Sequence, residues 1–361
     1  MTSWPTKKLG EVCEIISPGI KEFEGSKKYI ATADVDFDKI LDFTEITYKN
    51  RPSRANMEVK ENDVLVARMA ETKKFLMADK NFQDNYIFST GFAVLRVKDE
   101  LIPRYLFYFL TTKDFNLQKD KLAVGATQKA INNPALKKIK IPVPSLSIQQ
   151  KIVERLDAIK KAQELNEKQI ESAEELFQSL LHRELDPKGK NWEMKSLGEL
   201  CNIYQPKTIT STEILKSGPY KVYGANGVIG YYNKYNHEDS EVLVTCRGAT
   251  CGTINLSEPK CWITGNAMVV HPKVDNLSKI FLYYTLKNSN LSGAITGAAQ
   301  PQITRASLSP LKIPLPPLET QQKIVEKLSA VQEYKKKLLD QKQKLQELFE
   351  SVLNKSFKSQ L

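Results

Sequence analysis

From residue 152 onward, apolar side chains recur in alternating steps of four and three: Ile152, Leu156, Ile159, Gln163, Asn166, Ile170, Ala173, Phe177 and Leu180. The ladder returns 172 positions later as Ile324, Leu328, Val331, Lys335, Leu338, Lys342, Leu345, Phe349 and Val352, with extra leucines at Leu339, Leu348 and Leu353. A heptad seam of this kind, flanked by glutamate and lysine, predicts two long helices at residues 146–185 and 318–361. At 1.5 Å per residue, about 35 residues of each would extend on the order of 50 Å. The polar seam residues Gln163, Asn166, Lys335 and Lys342 are expected to set register at some cost in stability. Ahead of each ladder the pattern shortens to strand-like runs: YIATADV (29–35), DVLVAR and FAVLRV in the first stretch, EVLVTC and AMVV in the second. Each set is followed by one helical run, PRYLFYFLTT (103–112) or SKIFLYYTLKN (278–288). The expectation is an α+β chain with a twisted, mostly antiparallel sheet in each globular part.

The two ladders belong to a larger duplication. WPTKKLGEVCEI (4–15) matches WEMKSLGELCNI (192–203), and GATQKAINNPALKKIKIPVPSL (125–146) matches GAAQPQITRASLSPLKIPLPPL (297–318). Ends match well and interiors poorly, with the first globular part longer by 16 residues. A period this long with variable interiors indicates tandem duplication rather than a solenoid. The boundaries that follow are 1–145, 146–185, 186–317 and 318–361. Because a whole globular part separates the two helices in sequence, antiparallel pairing within one chain is the expected arrangement. It would set the globular parts at opposite ends of a rod, related by a pseudo-twofold.

The junction phrase occurs twice, as PVPSLSIQQKIVERL (142–156) and PLPPLETQQKIVEKL (314–328). Two prolines one residue apart keep the chain extended before the helix, and Ser147 or Thr320 is placed to cap it. The paired glutamines Gln149–Gln150 and Gln321–Gln322 read either as exposed helix starters or as pins holding the helix to its domain or to a partner.

The chain has 361 residues, enough for two modest domains, and a formal charge of +11. Each globular stretch, 1–145 and 186–317, carries an excess of +5, a balance suited to a phosphate backbone. No apolar run or signal-like N-terminus is present, and five cysteines suit a reducing compartment, so a cytoplasmic location is expected. Candidate DNA-binding side chains fall on corresponding segments: Arg68 and Arg247 just beyond matched strands, Lys73 and Lys74 in ETKKF, and Tyr223 and Asn226 in a Gly-rich stretch taken as a loop. Gln128, Lys129, Asn132, Gln300, Gln302 and Arg305 occupy the matched GA-containing loops. Arginine suits guanine, Asn and Gln suit adenine, and lysine mostly grips phosphate. No catalytic residue and no metal site is assigned. Asp63 with Glu71–Thr72–Lys73 mimics a nuclease triplet that the second half does not repeat. Cys246, Cys251, Cys261 and His271 lack the tight spacing of a compact zinc site. Cys13 and Cys201, at matched positions, read as small core residues.

The duplicated WxxxxLGE opening, the duplicated KIPxPxLxxQQKIVExL junction and the two long helices resemble the specificity subunits of type I restriction–modification systems over essentially the full length. The resemblance implies a non-catalytic chain with two target recognition domains, each reading half of a split, asymmetric DNA sequence. It also implies paired helices that act as spacer and docking surface for two modification (methyltransferase) subunits. Ile152, Leu156, Ile159, Ile324, Leu328 and Val331 are then candidates for the coiled coil and partner docking. Cofactors would sit on partners: S-adenosylmethionine for adenine methylation, ATP and Mg on restriction/translocase subunits. A coiled-coil assembly adaptor with non-specific nucleic-acid or protein binding is the competing expectation.

Overall fold

A computed structural model describes residues 4–297 and 300–358. The chain divides into two compact units, Met1–Glu167 with Gln341–Leu361, and Lys168–Asp340. Each unit therefore takes one globular part and a portion of both long helices, Leu146–Leu185 and Leu318–Phe357.

In the first unit the four-residue strand Val64–Ala67 is buried along its length, and its alternation divides the core. Val64 and Val66, with Ala93 and Leu95 of Phe92–Val97, join the cluster that holds Tyr105, Leu106 and Phe109 of helix Pro103–Thr111. Leu65, Ala67, Phe92 and Val94 face the opposite way, toward Ile30, Met57 and Phe88. A strand covered on both faces reads as a continuous apolar run, as DVLVAR does. The central sheet is antiparallel, ordered Cys13–Ile15, Phe92–Val97, Val64–Ala67, Phe75–Met77. Beneath it lies a second sheet, ordered Thr44–Ile46, Lys27–Ile30, Tyr86–Ser89, Ala55–Met57, with one parallel pair, Lys27–Ile30 beside Tyr86–Ser89.

The second unit repeats the plan. Its central sheet is ordered Cys201–Tyr204, Ala267–Pro272, Val242–Thr245, Ile254–Leu256, with helix Lys279–Asn288 on one face. Leu243, Ala267 and Val269 face Tyr223, Cys261 and Ile263 on the other. A smaller sheet, Gly227–Tyr232, Tyr220–Gly224, Trp262–Ile263, again contains one parallel pair. Each unit thus has two main sheets where the sequence pattern suggested one, because fully buried strands carry no alternation to reveal a second layer.

The repeat's ends match because they pack on each other. The LGE turn donates from Leu9 N to Ile139 O (2.8 Å) and from Gly10 N to Lys137 O (3.1 Å). In the second unit Leu197 N donates to Leu311 O (2.7 Å) and Gly198 N to Ser309 O (2.9 Å). A Cβ on Gly10 would stand 2.9 Å from the Lys137 Cβ, and one on Gly198 3.1 Å from the Ser309 Cβ, so close approach selects glycine. Leu9 and Leu197 are fully buried. Burial pushes the matched Cys13 and Cys201 thiols up to about 12, as expected of core residues. Adjoining ribbons, Thr6–Lys8 with Lys140–Pro142 and Glu193–Ser196 with Lys312–Leu315, close the same joint.

The long helices run antiparallel. Within the first unit Gln163 meets Leu345 and Gln346, while Glu167 pairs with Lys342 at 2.9 Å. Within the second, Glu174 pairs with Lys335, and Glu184 with Lys327 at 3.3 Å. Partner numbers fall on one helix as they rise on the other. Lys335 and Lys342, expected to set register, make the ion pairs just named. Each helix starts before the serine or threonine assigned to cap it, so Ser147 and Thr320 lie inside the first turn. The carbonyl of Ser145 or Pro317 receives the N–H of Gln149 or Gln321 (3.0 Å in each case).

Candidate nucleic-acid interface

In the second unit the buried strand Val242–Thr245 delivers Arg247 to the surface one residue beyond the buried Cys246. Ile303 N donates to Cys246 O (2.9 Å) and Gly248 N to Pro301 O (3.3 Å), so a short hairpin, Ile295–Thr296 with Gln302–Ile303, docks against this strand end. Arg247 and Gln302 form a backbone bridge there. Thr304 then caps Arg305–Leu308, its hydroxyl accepting from Ser307 N (3.1 Å). The result is a polar cleft of about 400 Å³ lined by Tyr204, Gln205, Arg247, Gln302, Thr304 and Arg305. A second hollow of about 700 Å³ adjoins it, between Arg247, Gly248 and Gln300. Arg247, Gln300, Gln302 and Arg305 are exposed and converge here.

The first unit builds the same place differently. Ile131 N donates to Arg68 O and Ala70 N to Lys129 O, both 2.9 Å, bringing Arg68, Gln128, Lys129 and Asn132 together. Gln128 and Lys129 are exposed, as is Lys73. The Arg68 guanidinium, however, turns inward: Nε donates to Phe92 O (3.1 Å) and Nη1 to Ile131 O (3.4 Å). Burial lowers its affinity for the proton below the usual value. Lys74 Nζ donates to Thr32 O (2.7 Å), and Asn132 Oδ1 accepts from Ala135 N (2.9 Å) as a helix cap. Lys119, which the sequence pattern did not single out, is fully buried; its Nζ donates to Met69 O (3.2 Å) and Thr72 O (2.5 Å). It braces the loop that carries Lys73. A lysine on the amphipathic segment 113–122 reads as solvated, so no sequence signal marked it.

Two assignments need correction. The Gly-rich stretch around Tyr223 is a hairpin, Tyr220–Gly224 with Gly227–Tyr232, rather than an open loop. Tyr223 is buried, and its Oη accepts from Glu258 N (3.0 Å), which commits that side chain to the core; burial raises its phenol. Asn226 stays exposed at the turn, whose Ala225 carbonyl accepts from the Thr245 hydroxyl near Arg247. Ile152 and Leu156 are buried in one cluster with Leu353 of the other long helix, and Ile324 and Leu328 in one with Phe177 and Leu181, as expected of the helix seam, while Ile159 and Val331 are half-buried.

The decoys resolve into structure. Asp63 is buried in a two-pronged pair with Arg96 (2.7 and 2.8 Å), and the second unit places Glu241 with His271 (2.9 Å) and Lys279 (3.1 Å) at the corresponding sheet position. Cys246 and Cys261 are buried thiols raised by desolvation. Among the described residues no His, Cys, Asp and Glu grouping could hold a metal ion, and no helix is long and apolar enough to cross a membrane.

A family model described as the type I restriction modification DNA specificity domain matches residues 1–175 and again 189–348. The chain is 24% identical over 404 aligned positions to a putative type I restriction enzyme MjaX specificity subunit of Methanocaldococcus jannaschii, covering 98% of this chain and 91% of that protein. It is 32% identical over 147 residues to a putative type I restriction enzyme specificity subunit of Haemophilus influenzae, a match spanning 40% of this chain and 38% of the other. A chain solved in a study of complex assembly and conformational transition of the type I R-M system superposes with a TM-score of 0.67 at 23% identity, covering 100% of this chain and 99% of that one. The type I restriction-modification S subunit from M. genitalium gives 0.64 at 18%, covering 98% and 96%. Both likenesses carry the fold.

Proposed function

Because the chain belongs to the type I restriction–modification DNA specificity family, whose members recognise DNA sequence and are non-catalytic, we propose that it directs adenine methylation and restriction to a bipartite, asymmetric site. Residues 1–145 and 186–317 are the two target recognition domains, and 146–185 and 318–361, of which 359–361 lie outside the described residues, the segments that hold them at fixed separation. The observation that supports this most is the matched strand end in each unit, where exposed cationic and amide side chains converge on one framework. In the second domain Arg247, Gln300, Gln302, Arg305 and Asn226 face the bases. In the first, Gln128, Lys129 and Lys73 do so, with Arg68, Lys74 and the capping Asn132 shaping the loops. Because the chemistry differs, the half-sites differ in sequence. Two readers on one side of a duplex favour half-sites centred about one helical turn, near 34 Å, apart.

The internal repeat offers two near-equivalent faces, hence two modification subunits; these carry S-adenosylmethionine, and restriction/translocase subunits carry ATP and Mg. Ile159 and Val331 border the partner-binding face. The test is to map methylated adenines made by the complex of this chain with its methyltransferase, and to select from random duplexes with the same complex. The expected outcome is one split motif with a fixed spacer. Binding without a bipartite preference would instead mark an assembly adaptor.

A further inference from the structure

The two halves share one buried device that DNA reading does not use. Gln149 and Gln321 are fully buried, at 0% exposure, in the first turns of the long helices. Gln149 Oε1 accepts from Ile102 N (2.9 Å), while Nε2 donates to Glu100 O and to Pro144 O (2.9 Å each). Gln321 repeats the set: Oε1 accepts from Ser278 N (2.8 Å), and Nε2 donates to Asn276 O and Pro316 O (2.8 Å each). Ile102 and Ser278 are the N-cap residues of helices Pro103–Thr111 and Lys279–Asn288. One amide therefore ties together the proline connector, the loop before a domain helix and that helix's N-terminus. Only glutamine fits: Glu lacks donors, Lys and Arg lack an acceptor, and Asn is a methylene too short. The neighbours Gln150 and Gln322 are exposed and bond to Glu154 and Glu326 of their own helices.

We propose that Gln149 and Gln321 are positioning residues that lock the angle between each globular part and its long helix, and so set the spacer length the protein accepts. The inference rests on the bipartite reading above. Leverage makes the clamp matter. A 40-residue helix rises about 60 Å, so a tilt of about 5° at its base displaces its far end by about 5 Å, more than the roughly 3.4 Å of one base-pair step. Buried Ile152, Leu156, Ile324 and Leu328 seat the helix bases in the cores, and the three oriented hydrogen bonds of each glutamine add direction to that seat.

The experiment uses the full chain with its methyltransferase and compares affinity for the native spacer with spacers one base pair longer and shorter. Gln149→Ala, Gln321→Ala and Gln149→Glu are expected to lower that discrimination about fivefold or more, the effect of losing roughly 1 kcal/mol of orienting bonds. Base preferences within each half-site stay unchanged, and Gln150→Ala and Gln322→Ala behave as wild type. Undiminished spacer discrimination in folded Gln149 and Gln321 variants overturns the proposal while leaving the bipartite reading intact. A wild-type complex with no spacer preference overturns the bipartite reading itself. Variants that all fail to fold would make these glutamines folding residues, and the positioning role would fall.

Discussion

Arg68 and Arg247 leave equivalent strand ends, yet one guanidinium is spent on the backbone carbonyls of Phe92 and Ile131 while the other stands exposed beside Gln302 and Arg305. The joints beneath them hardly differ. Leu9 and Leu197 are buried in the same turn, Gly10 and Gly198 approach equivalent helix-ending residues, Lys137 and Ser309, and Gln149 and Gln321 make the same three bonds. Duplication has therefore kept the parts that fix geometry and released the exposed loops. A conserved frame is constrained by packing density on every side, whereas an exposed loop answers only to what it binds.

The sharpest way to break this comparison is to attack the frame. Leu9→Ala and Leu197→Ala should each cost about 2–5 kcal/mol, because close-packed surroundings relax only partly into the space a fully buried leucine leaves. Urea unfolding of the whole chain would measure it, and losses under about 1 kcal/mol in either copy would mean the joint is not shared core.

Next in size are the two arginines, which should separate stability from binding. Arg247→Ala should leave unfolding unchanged within about 0.5 kcal/mol, as for most surface substitutions, and weaken DNA binding by about 1–3 kcal/mol at one position of one half-site. Arg68→Ala should do the reverse, costing roughly 1–3 kcal/mol of stability because the carbonyls of Phe92 and Ile131 lose a buried donor. Equal binding losses with equal base specificity in both variants would erase the distinction drawn here.

Lys119→Met sits between these. It removes two bonds to the loop carbonyls of Met69 and Thr72, and their unsatisfied oxygens should cost about 1–3 kcal/mol. Burial lowers the Lys119 ammonium's hold on its proton, so charging it costs the folded state stability at pH below the folded value, and that cost fades as pH rises through the folded value toward the unfolded one. Hydrogen exchange at residues 69–74 should rise selectively; unchanged protection there would deny Lys119 its bracing role.

The seam periodicity, the repeat and the PxP junction made the long helices and the twofold plan legible in the sequence, since each rests on spacing along the chain. The second sheet of each unit was hidden because Val64–Ala67 and Val242–Thr245 are apolar at every position. The convergence of the candidate segments was legible, but not the direction of each side chain. Arg68, Tyr223 and Lys119 look like surface residues in sequence, and only tertiary partners such as the Ile131 carbonyl and the Glu258 amide take them inward. Of the glutamine pair, the pinning role falls to Gln149 and Gln321 and the exposed role to Gln150 and Gln322, a division that helix phase alone did not decide.

The smallest effect probes where the two halves differ within the helices. Under the 172-residue repeat, Gln163 and Gln346 of the first unit correspond to Lys335 and Glu174 of the second, so one neutral pair stands where its counterpart is ionic. The Lys335 ammonium, with Gln178 adding to it, holds the Glu174 carboxyl below its ordinary value of 4.5. A depressed folded value stabilises above the unfolded one and fades as pH falls through the folded one, so the contribution should be present at neutral pH and lost on acidification below about 4.5. Both side chains are partly exposed, which limits the pair to about 0.2–1 kcal/mol. A double-mutant cycle through Glu174→Gln and Lys335→Gln should return a coupling of that size at pH 7, shrinking at pH 3 and in 1 M salt. The double variant gives the second half the neutral pair of the first, and its unfolding should then lose this part of its acid and salt dependence. A coupling that persists unchanged at pH 3 would show that the two halves are held alike and that the ionic substitution at this position is incidental.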